Sequence, residues 1–530
     1  MRAKGHEENA SAVSTQEGRA EDTLREAAAL LQTGKLDKAE PIVRRVLAAR
    51  PRDADAHNLL GVILDQRGRA TDAEGEYREA LRLNPAGISA LANLGVLLAR
   101  TGRSEQAIQA FESVLRQSPN HPQATINLGL QYAARGDHLR AIPLLERATG
   151  ARTGEEPKRS DPSLLLALAG AYLRAGRRAD AARLAGAIER AANDDPRLLY
   201  SLGLMLAEAL EYERAITLLE RTNTLSPNRF EVLFNLGIAL YNLNRLDEAV
   251  NRLEAASALS STAPEPLYYL GLVASARGQA DAAADYWERA LALRPNFAEV
   301  NFMLGEELRK TRRIEGAKEF YERALAQDST KAIYYIRLGG VYLLLKLPDQ
   351  ALEVFTRAQQ RFPEVAELNY FVGIAARAKG DYAVAEASLR KTLSLQPDNF
   401  DALAQLGFII GERGDYKEAE ALLRRAIALN DKHFYAHYDL GRLLVKEKRL
   451  EEAIPVLQRG AGIMPANPGV HYQLFMAFSR LKRKEAAERE LAIFKGLDAE
   501  GKTHKQDDDM EKVINESSSA GQSAVPQTGP

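Results

Sequence analysis

The apolar residues of positions 93–119 follow a helical pattern twice. The stretch NLGVLLARTGRSEQAIQAFESVLRQSP spaces its apolar residues three and four positions apart, breaks at Gly102, and resumes the pattern until Pro119. That spacing places the apolar side chains on one face of a helix. Glycine and proline are residues at which helices commonly end. The stretch therefore predicts two helices joined by a short turn.

The same pattern returns at a fixed period along most of the chain. A small residue recurs at thirteen positions that are 34 residues apart, except for one step of 40, and Phe475 takes the fourteenth position. An alanine follows twelve positions after each of the fourteen aligned residues. The aligned positions, called the small slot here, are Ala27, Gly61, Gly95, Gly129, Ala169, Gly203, Gly237, Gly271, Gly305, Gly339, Gly373, Gly407, Gly441 and Phe475. Such a period predicts stacked helical hairpins, since one hairpin cannot bury its apolar face alone.

Glycine in the small slot is costly for a helix and needs a compensating contact. A glycine inside a helix is less favourable than alanine by about 1 kcal/mol. A position without a side chain lets a second helix approach closely. We therefore expect the second helix of each hairpin to pack against the small slot of the first.

The 34-residue period, the Leu-Gly pair in NLGVLL, NLGLQY, NLGIAL and YLGLVA, and the closing proline resemble the tetratricopeptide repeat family over residues 20 to about 497. The resemblance implies an all-α fold, a right-handed α-solenoid superhelix of about fourteen 34-residue helix-turn-helix repeats. It also implies that the first helices line a groove in which partner segments are held. The family is adaptor-like, and its fold is no evidence of catalysis.

Composition divides the chain into five segments. The polar residues 1–19 and the Ser/Gly/Pro-bearing residues 498–530 predict disordered ends. Repeats one to four occupy 20–153, and repeats five to fourteen, with a capping helix, occupy 162–497. Between them, residues 154–161 interrupt the period with charge, glycine and proline. This insertion predicts either a hinge between two subdomains or a longer surface loop in an unbroken superhelix.

In seven of the nine repeats from six to fourteen, an aromatic residue lies three positions before the small slot, at the fifth position of the repeat, which faces the groove in the resembling family. This ring stripe consists of Tyr200, Phe234, Tyr268, Phe302, Tyr370, Tyr438 and Tyr472. The second position of the central repeats carries the carboxylates Glu231, Glu265, Glu299, Glu367 and Asp401. Rings beside carboxylates can hold an extended, partly apolar, basic segment, and they can equally stack on sugar rings. Alternatively, the rings fill space between successive first helices, and their exposure separates these interpretations.

Overall charge and composition exclude several classes of function. With 71 Lys and Arg against 72 Asp and Glu, the net charge of −1 gives no general attraction to nucleic acid, so no nucleic-acid partner is predicted. The absence of cysteine excludes disulfides and thiolate chemistry. The apolar run Leu164–Leu173 is shorter than the roughly 20 residues that cross a bilayer, so no membrane span is predicted.

Residues with catalytic or metal-binding potential do not form a recognisable site. His433 and His437 are spaced like two metal ligands on a helix, but His437 falls in a packing position. The acidic run Asp507–Asp509 reads as a solvated cluster. The basic clamp by which some family members bind chaperone tails needs a lysine at the fifth position, which no repeat has. We therefore predict no catalytic, cofactor-binding or metal-binding residue.

These patterns together predict a non-catalytic scaffold or adaptor that holds protein or peptide segments in its groove. The polar start lacks the apolar core of a secretory signal, which predicts a cytoplasmic protein. One alternative is an exported or periplasmic helper of polysaccharide or cell-envelope assembly with carbohydrate on the rings, which a signal upstream of this start would favour. The other alternative is a regulatory subunit of a separately encoded enzyme.

Overall fold

The computed structural model describes residues 23–151 and 161–500, and these residues form helices joined by short connections, with no strand among them. The chain divides into two compact units, 1–260 and 261–530. In the first unit, α1 covers residues 23–32. It is followed by α2 (Leu36–Ala49), α3 (Ala54–Gln66), α4 (Ala70–Leu83), α5 (Ile88–Arg100), α6 (Ser104–Gln117), α7 (Pro122–Ala134), α8 (His138–Thr149), α9 (Pro162–Arg174), α10 (Arg178–Ala192), α11 (Pro196–Glu208), α12 (Tyr212–Leu225), α13 (Phe230–Asn242) and α14 (Leu246–Leu259).

The second unit continues the same alternation of helices. It contains α15 (Glu265–Ala276), α16 (Ala280–Leu293), α17 (Ala298–Lys310), α18 (Ile314–Gln327), α19 (Ala332–Leu344), α20 (Pro348–Arg361), α21 (Ala366–Lys379), α22 (Tyr382–Leu395), α23 (Phe400–Arg413), α24 (Tyr416–Leu429), α25 (Phe434–Lys446), α26 (Leu450–Ile463), α27 (Pro468–Arg480) and α28 (Lys484–Glu500). Odd-numbered helices are the first helices of the hairpins, and even-numbered helices are the second. The predicted all-α solenoid of helix pairs is confirmed within each unit.

A left-handed residue reverses the chain inside each hairpin. Between α5 and α6, Gly102 has φ +77°, and the following Arg103 N–H donates to the carbonyl of Leu98 at 2.9 Å. This is the predicted glycine turn. The same turn persists where the residue is not glycine, with φ +67° at Leu210 and +60° at Lys346. The turn geometry therefore belongs to the repeat and not to the glycine alone.

The small slot holds the second helix close to the first, as expected. A Cβ atom added at Gly271 would lie 2.2 Å from Nε1 of Trp287, which comes sixteen residues later and is fully buried. A Cβ atom added at Gly95 would lie 2.7 Å from the ring of Phe111. Because the first helix has no side chain at this position, a large side chain of the second helix fills the space.

In part of each unit, consecutive first helices contact one another. The pairs α3 with α5 through α11 with α13 do so in the first unit, and the pairs α19 with α21 through α25 with α27 do so in the second. Consecutive second helices make no comparable contact among the described residues. Along these stretches the first helices therefore lie on the inner side of the stack, and we call the surface they present the inner face.

The core of the first unit runs without a break from α1 to α12. Ala151 and Leu165, on either side of the predicted insertion, are both buried in it. Most of that insertion, 154–161, the predicted disordered segment 1–19, and residues 501–530 of the predicted disordered tail 498–530 lie outside the described residues. The helix α28 extends to Glu500, three residues past the predicted end of the repeats.

Candidate functional site

In the first unit, the two predicted rings are half-buried and supported by neighbours. Asn235 Nδ2 donates to the hydroxyl of Tyr200 at 3.1 Å, and the guanidinium of Arg229 lies 5.7 Å from the centre of that ring. Phe234 stacks on Phe230 with 5.6 Å between ring centres. Each ring therefore has one side fixed by the protein while part of its surface stays accessible.

In the second unit, the rings of the stripe differ widely in exposure. Tyr268 and Phe302 are half-buried, and Phe302 stacks on Tyr334 with 4.8 Å between ring centres. Tyr370 is only 7% exposed, so it packs in the core, whereas Tyr472 is 40% exposed. Tyr438 is half-buried, and its ring stacks on that of Phe434. The space-filling interpretation thus describes Tyr370, and contact between the other rings and a ligand stays a prediction.

The carboxylates beside the rings are engaged by the chain itself. Glu265 accepts a hydrogen bond from the guanidinium of Arg294, and Glu299 accepts one from Lys331 Nζ at 2.5 Å. Both donors come from the connection that follows the second helix of the same repeat. The remaining pairs are Glu231 with Arg229 at 4.0 Å, Glu367 with Gln396 at 3.4 Å and Asp401 with His433 at 3.0 Å. The ion pairs of Glu265 and Glu299 offset part of the negative charge on which the basic-segment interpretation depends.

The two histidines considered as metal ligands have other partners. His433 caps α25, because its Nδ1 accepts the Ala436 N–H at 3.0 Å while its Nε2 bonds to Asp401. His437 is buried, and its Nε2 donates to the carbonyl of Asp431 at 2.9 Å. Burial lowers the pKa of His437 and so favours its neutral form. Among the described residues, no group of three or more potential ligands is arranged to hold a metal ion.

A cavity in the second unit was not predicted from the sequence. It has a volume of about 310 Å³ and is lined by residues of the first helices α23, α25 and α27 and by Leu423 of α24. Three cationic side chains reach it, those of Arg442, Lys446 and Arg480. Lys446 and Arg480 occupy the same position of consecutive repeats, 34 residues apart. The sequence signal for this pair is a cation at the same position of two consecutive repeats, outside the second and fifth positions.

A buried carboxyl group lies in the same cavity. The side chain of Asp439 is 10% exposed, and burial raises its pKa to about 6, against the opposing effect of the Arg442 guanidinium. Arg442 approaches Asp439 at 3.6 Å and donates to Glu412 at 2.9 Å. Its guanidinium also lies 4.9 Å from the centre of the Phe408 ring. Arg442 is therefore held in place by the protein on several sides.

No helix among the described residues combines the length and the apolar character needed to cross a membrane.

Comparison with family models gives a consistent result along the chain. A model described as tetratricopeptide repeat matches residues 24–88, 92–156, 166–230, 302–366 and 341–402, which is more than half of the chain. Two further models of the same description match residues 206–267, 412–462 and 264–297. These matches fall on the hairpins identified above.

Comparison with whole proteins adds little. No curated protein sequence matches the chain. The solved structure of Naa15/Naa10 bound to HypK-THB is 15% identical, and the alignment covers 96% of this chain and 98% of that chain with a TM-score of 0.35. A likeness of that size supports no inference about function.

Proposed function

Because the chain belongs to the tetratricopeptide repeat family, we propose that it is a non-catalytic scaffold that binds a partner protein segment on its inner face. The family membership makes protein interaction the general role, and the position of the partner is the specific proposal. The proposal rests on one observation. Rings at a single repeat position stay partly accessible while the protein supports their other side.

Supported rings are well suited to binding a segment of a second protein. Tyr200 and Phe234, both in the first unit, are held by neighbours, so a ligand that covers them immobilises few additional rotatable bonds. Aromatic side chains bring large contact areas, and they are among the residues that dominate the binding energy of interfaces. A row of such rings favours an extended segment that crosses several repeats.

Selection from a random peptide library on the full-length chain tests this proposal. Peptides that bind the wild type are synthesised, and their Kd is measured by fluorescence anisotropy for the wild type and for the variant Tyr200→Ala/Phe234→Ala, whose two residues belong to the same unit. We expect a class of these peptides to lose affinity at least about tenfold, since truncating a central interface aromatic residue commonly costs about 2 kcal/mol.

Tyr382→Ala is the matched control. Tyr382 is 44% exposed and belongs to the second helix α22, away from the ring stripe, so its truncation should leave the Kd unchanged. Unaltered circular dichroism of the ring variant would show that it still folds. Equal affinities for the wild type and the ring variant would refute binding along the stripe.

A further inference from the structure

The cavity between α23, α25 and α27 contains positive charge that the protein does not neutralise. Arg480 Nη1 donates to the carbonyl of Val445 at 2.9 Å, and Lys446 Nζ lies 5.1 Å from the centre of the Tyr416 ring. Neither Lys446 nor Arg480 has a carboxylate within 4.0 Å among residues 23–151 and 161–500. Both side chains belong to exposed residues. These two cations are therefore available to a ligand, unlike Arg442, which is paired with Glu412.

An aromatic surface lies beside the free cations. Tyr472 is the most exposed ring of the stripe and lines the cavity together with Met476. Its position is fixed from behind, since the rings of Phe494 and Phe475 lie 5.3 Å and 6.2 Å from it. An apolar side chain of a ligand can thus pack on Tyr472 while an acidic neighbour reaches the cations.

We propose that this cavity binds an acidic segment of a partner protein, whose carboxylates pair with Lys446 and Arg480 while an aromatic or aliphatic side chain packs on Tyr472. The proposal rests on the proposed scaffold function and specifies the chemistry of the partner. An acidic partner is the opposite of the basic segment that the sequence pattern of rings and carboxylates predicted. The carboxylates behind that expectation, such as Glu265 and Glu299, are occupied by cations of the same chain.

Charge complementarity favours an acidic protein segment over a nucleic acid. The cavity also contains Glu412 and Asp439, which would repel a continuous row of phosphates. A protein segment can place single carboxylates at the two free cations and keep uncharged residues elsewhere. The whole chain has a net charge of −1, which provides no wider attraction for a polyanion.

The test uses the variant Lys446→Glu/Arg480→Glu to sort the peptides selected on the full-length chain, because peptides that bind in this cavity form a separate class from those that bind at the rings of the first unit. We expect this class to be enriched in Asp and Glu, and we expect the charge-reversed variant to bind it at least about tenfold more weakly. Raising the NaCl concentration should weaken binding to the wild type more than to the variant. The matched control Arg116→Glu/Lys391→Glu changes the net charge equally at two exposed residues of second helices, and it should retain the affinity.

Several results would overturn this assignment. Selected peptides that are neutral or basic would do so, as would acidic peptides whose affinity is the same for both charge variants. Such peptides could still depend on Tyr200 and Phe234, and the scaffold proposal would then survive alone. Binding of a 20-nucleotide oligothymidylate that Lys446→Glu/Arg480→Glu abolishes, without acidic peptide binding, would assign the cavity to nucleic acid. If acidic peptides are selected on a chain truncated after residue 500 but not on the full-length chain, the occupant of the cavity is the acidic segment 507–511 of the full-length chain.

Discussion

Repeats eight and five fill the space between their two helices in opposite ways. In repeat eight, Gly271 on α15 leaves room for Trp287 on α16, and the tryptophan is fully buried. In repeat five, the equivalent residues are Ala169 on α9 and Ala185 on α10, and their exposures are 0% and 1%. Repeat five thus has an added methyl group on its first helix, at Ala169, and a small side chain in place of a large one on its second helix, at Ala185. The comparison teaches that the repeat tolerates different residues at the crossing as long as the pair is matched in size.

The largest expected effect is the removal of the tryptophan. Trp287→Ala empties a fully buried site and removes the hydrogen bond that Nε1 donates to the Tyr268 carbonyl at 3.1 Å. The expected cost is about 3 to 5 kcal/mol of unfolding free energy. Hydrogen exchange of the α15 and α16 amides measures it locally, because a repeat array need not unfold in one step. Unchanged protection in these helices would contradict the role assigned to the indole.

A smaller effect is expected from adding one methyl group to the same hairpin. In Gly271→Ala the new Cβ would lie 2.2 Å from Trp287 Nε1, so the indole or the helices must move. Overpacking of this kind costs about 1 to 3 kcal/mol. Gly75→Ala is the control, since no atom lies within 4 Å of a Cβ placed there and the residue is inside α4. That variant should gain stability, because alanine favours a helix over glycine by about 1 kcal/mol. Equal changes in the two variants' denaturation midpoints would show that the slot is not sterically limited.

The smallest effect is a coupling between the two alanines of repeat five. Ala185→Leu alone should destabilise α9 and α10, and Ala169→Gly should recover part of that loss by restoring the pairing of the other repeats. The double-mutant cycle should give a favourable coupling of about 1 kcal/mol. Hydrogen exchange of the α9 and α10 amides in the wild type, both single variants and the double variant measures this value locally. Strictly additive changes would mean that the two positions do not share one space.

The hairpins were predictable because their signals are local and repeated. The small slot, the residue sixteen positions later and the glycine turn at Gly102 recur at a constant spacing, so each repeat supports the assignment of the others. The positive φ of Leu210 could not be predicted from its residue type, because leucine rarely adopts it. Only the alignment of Leu210 with the turn glycines of the other repeats indicates it. The division of the chain at residue 260 also has no marked signal, because the period continues through it.

The candidate site was predictable only in part. The repeat position of the rings could be read from the sequence, but their exposure depends on residues outside that position. Phe494 of α28 supports Tyr472, and Phe297 at the start of α17 contacts Tyr268. The partners of the carboxylates, such as Arg294 and Lys331, lie in connections where the repeat imposes little regularity. Charge pairing across connections is therefore what the pattern of helix positions could not reveal.

The shared left-handed turn has a consequence for how this molecule can be altered. Leu210 and Gly102 reverse the chain with similar φ angles. The two helices of a hairpin are therefore joined in the same geometry whichever residue makes the turn. Whole hairpins can then be exchanged, duplicated or deleted by recombination at equivalent positions without redesign of the joints. The length of the inner face is for that reason a property that insertion or loss of 34 residues can adjust in single steps.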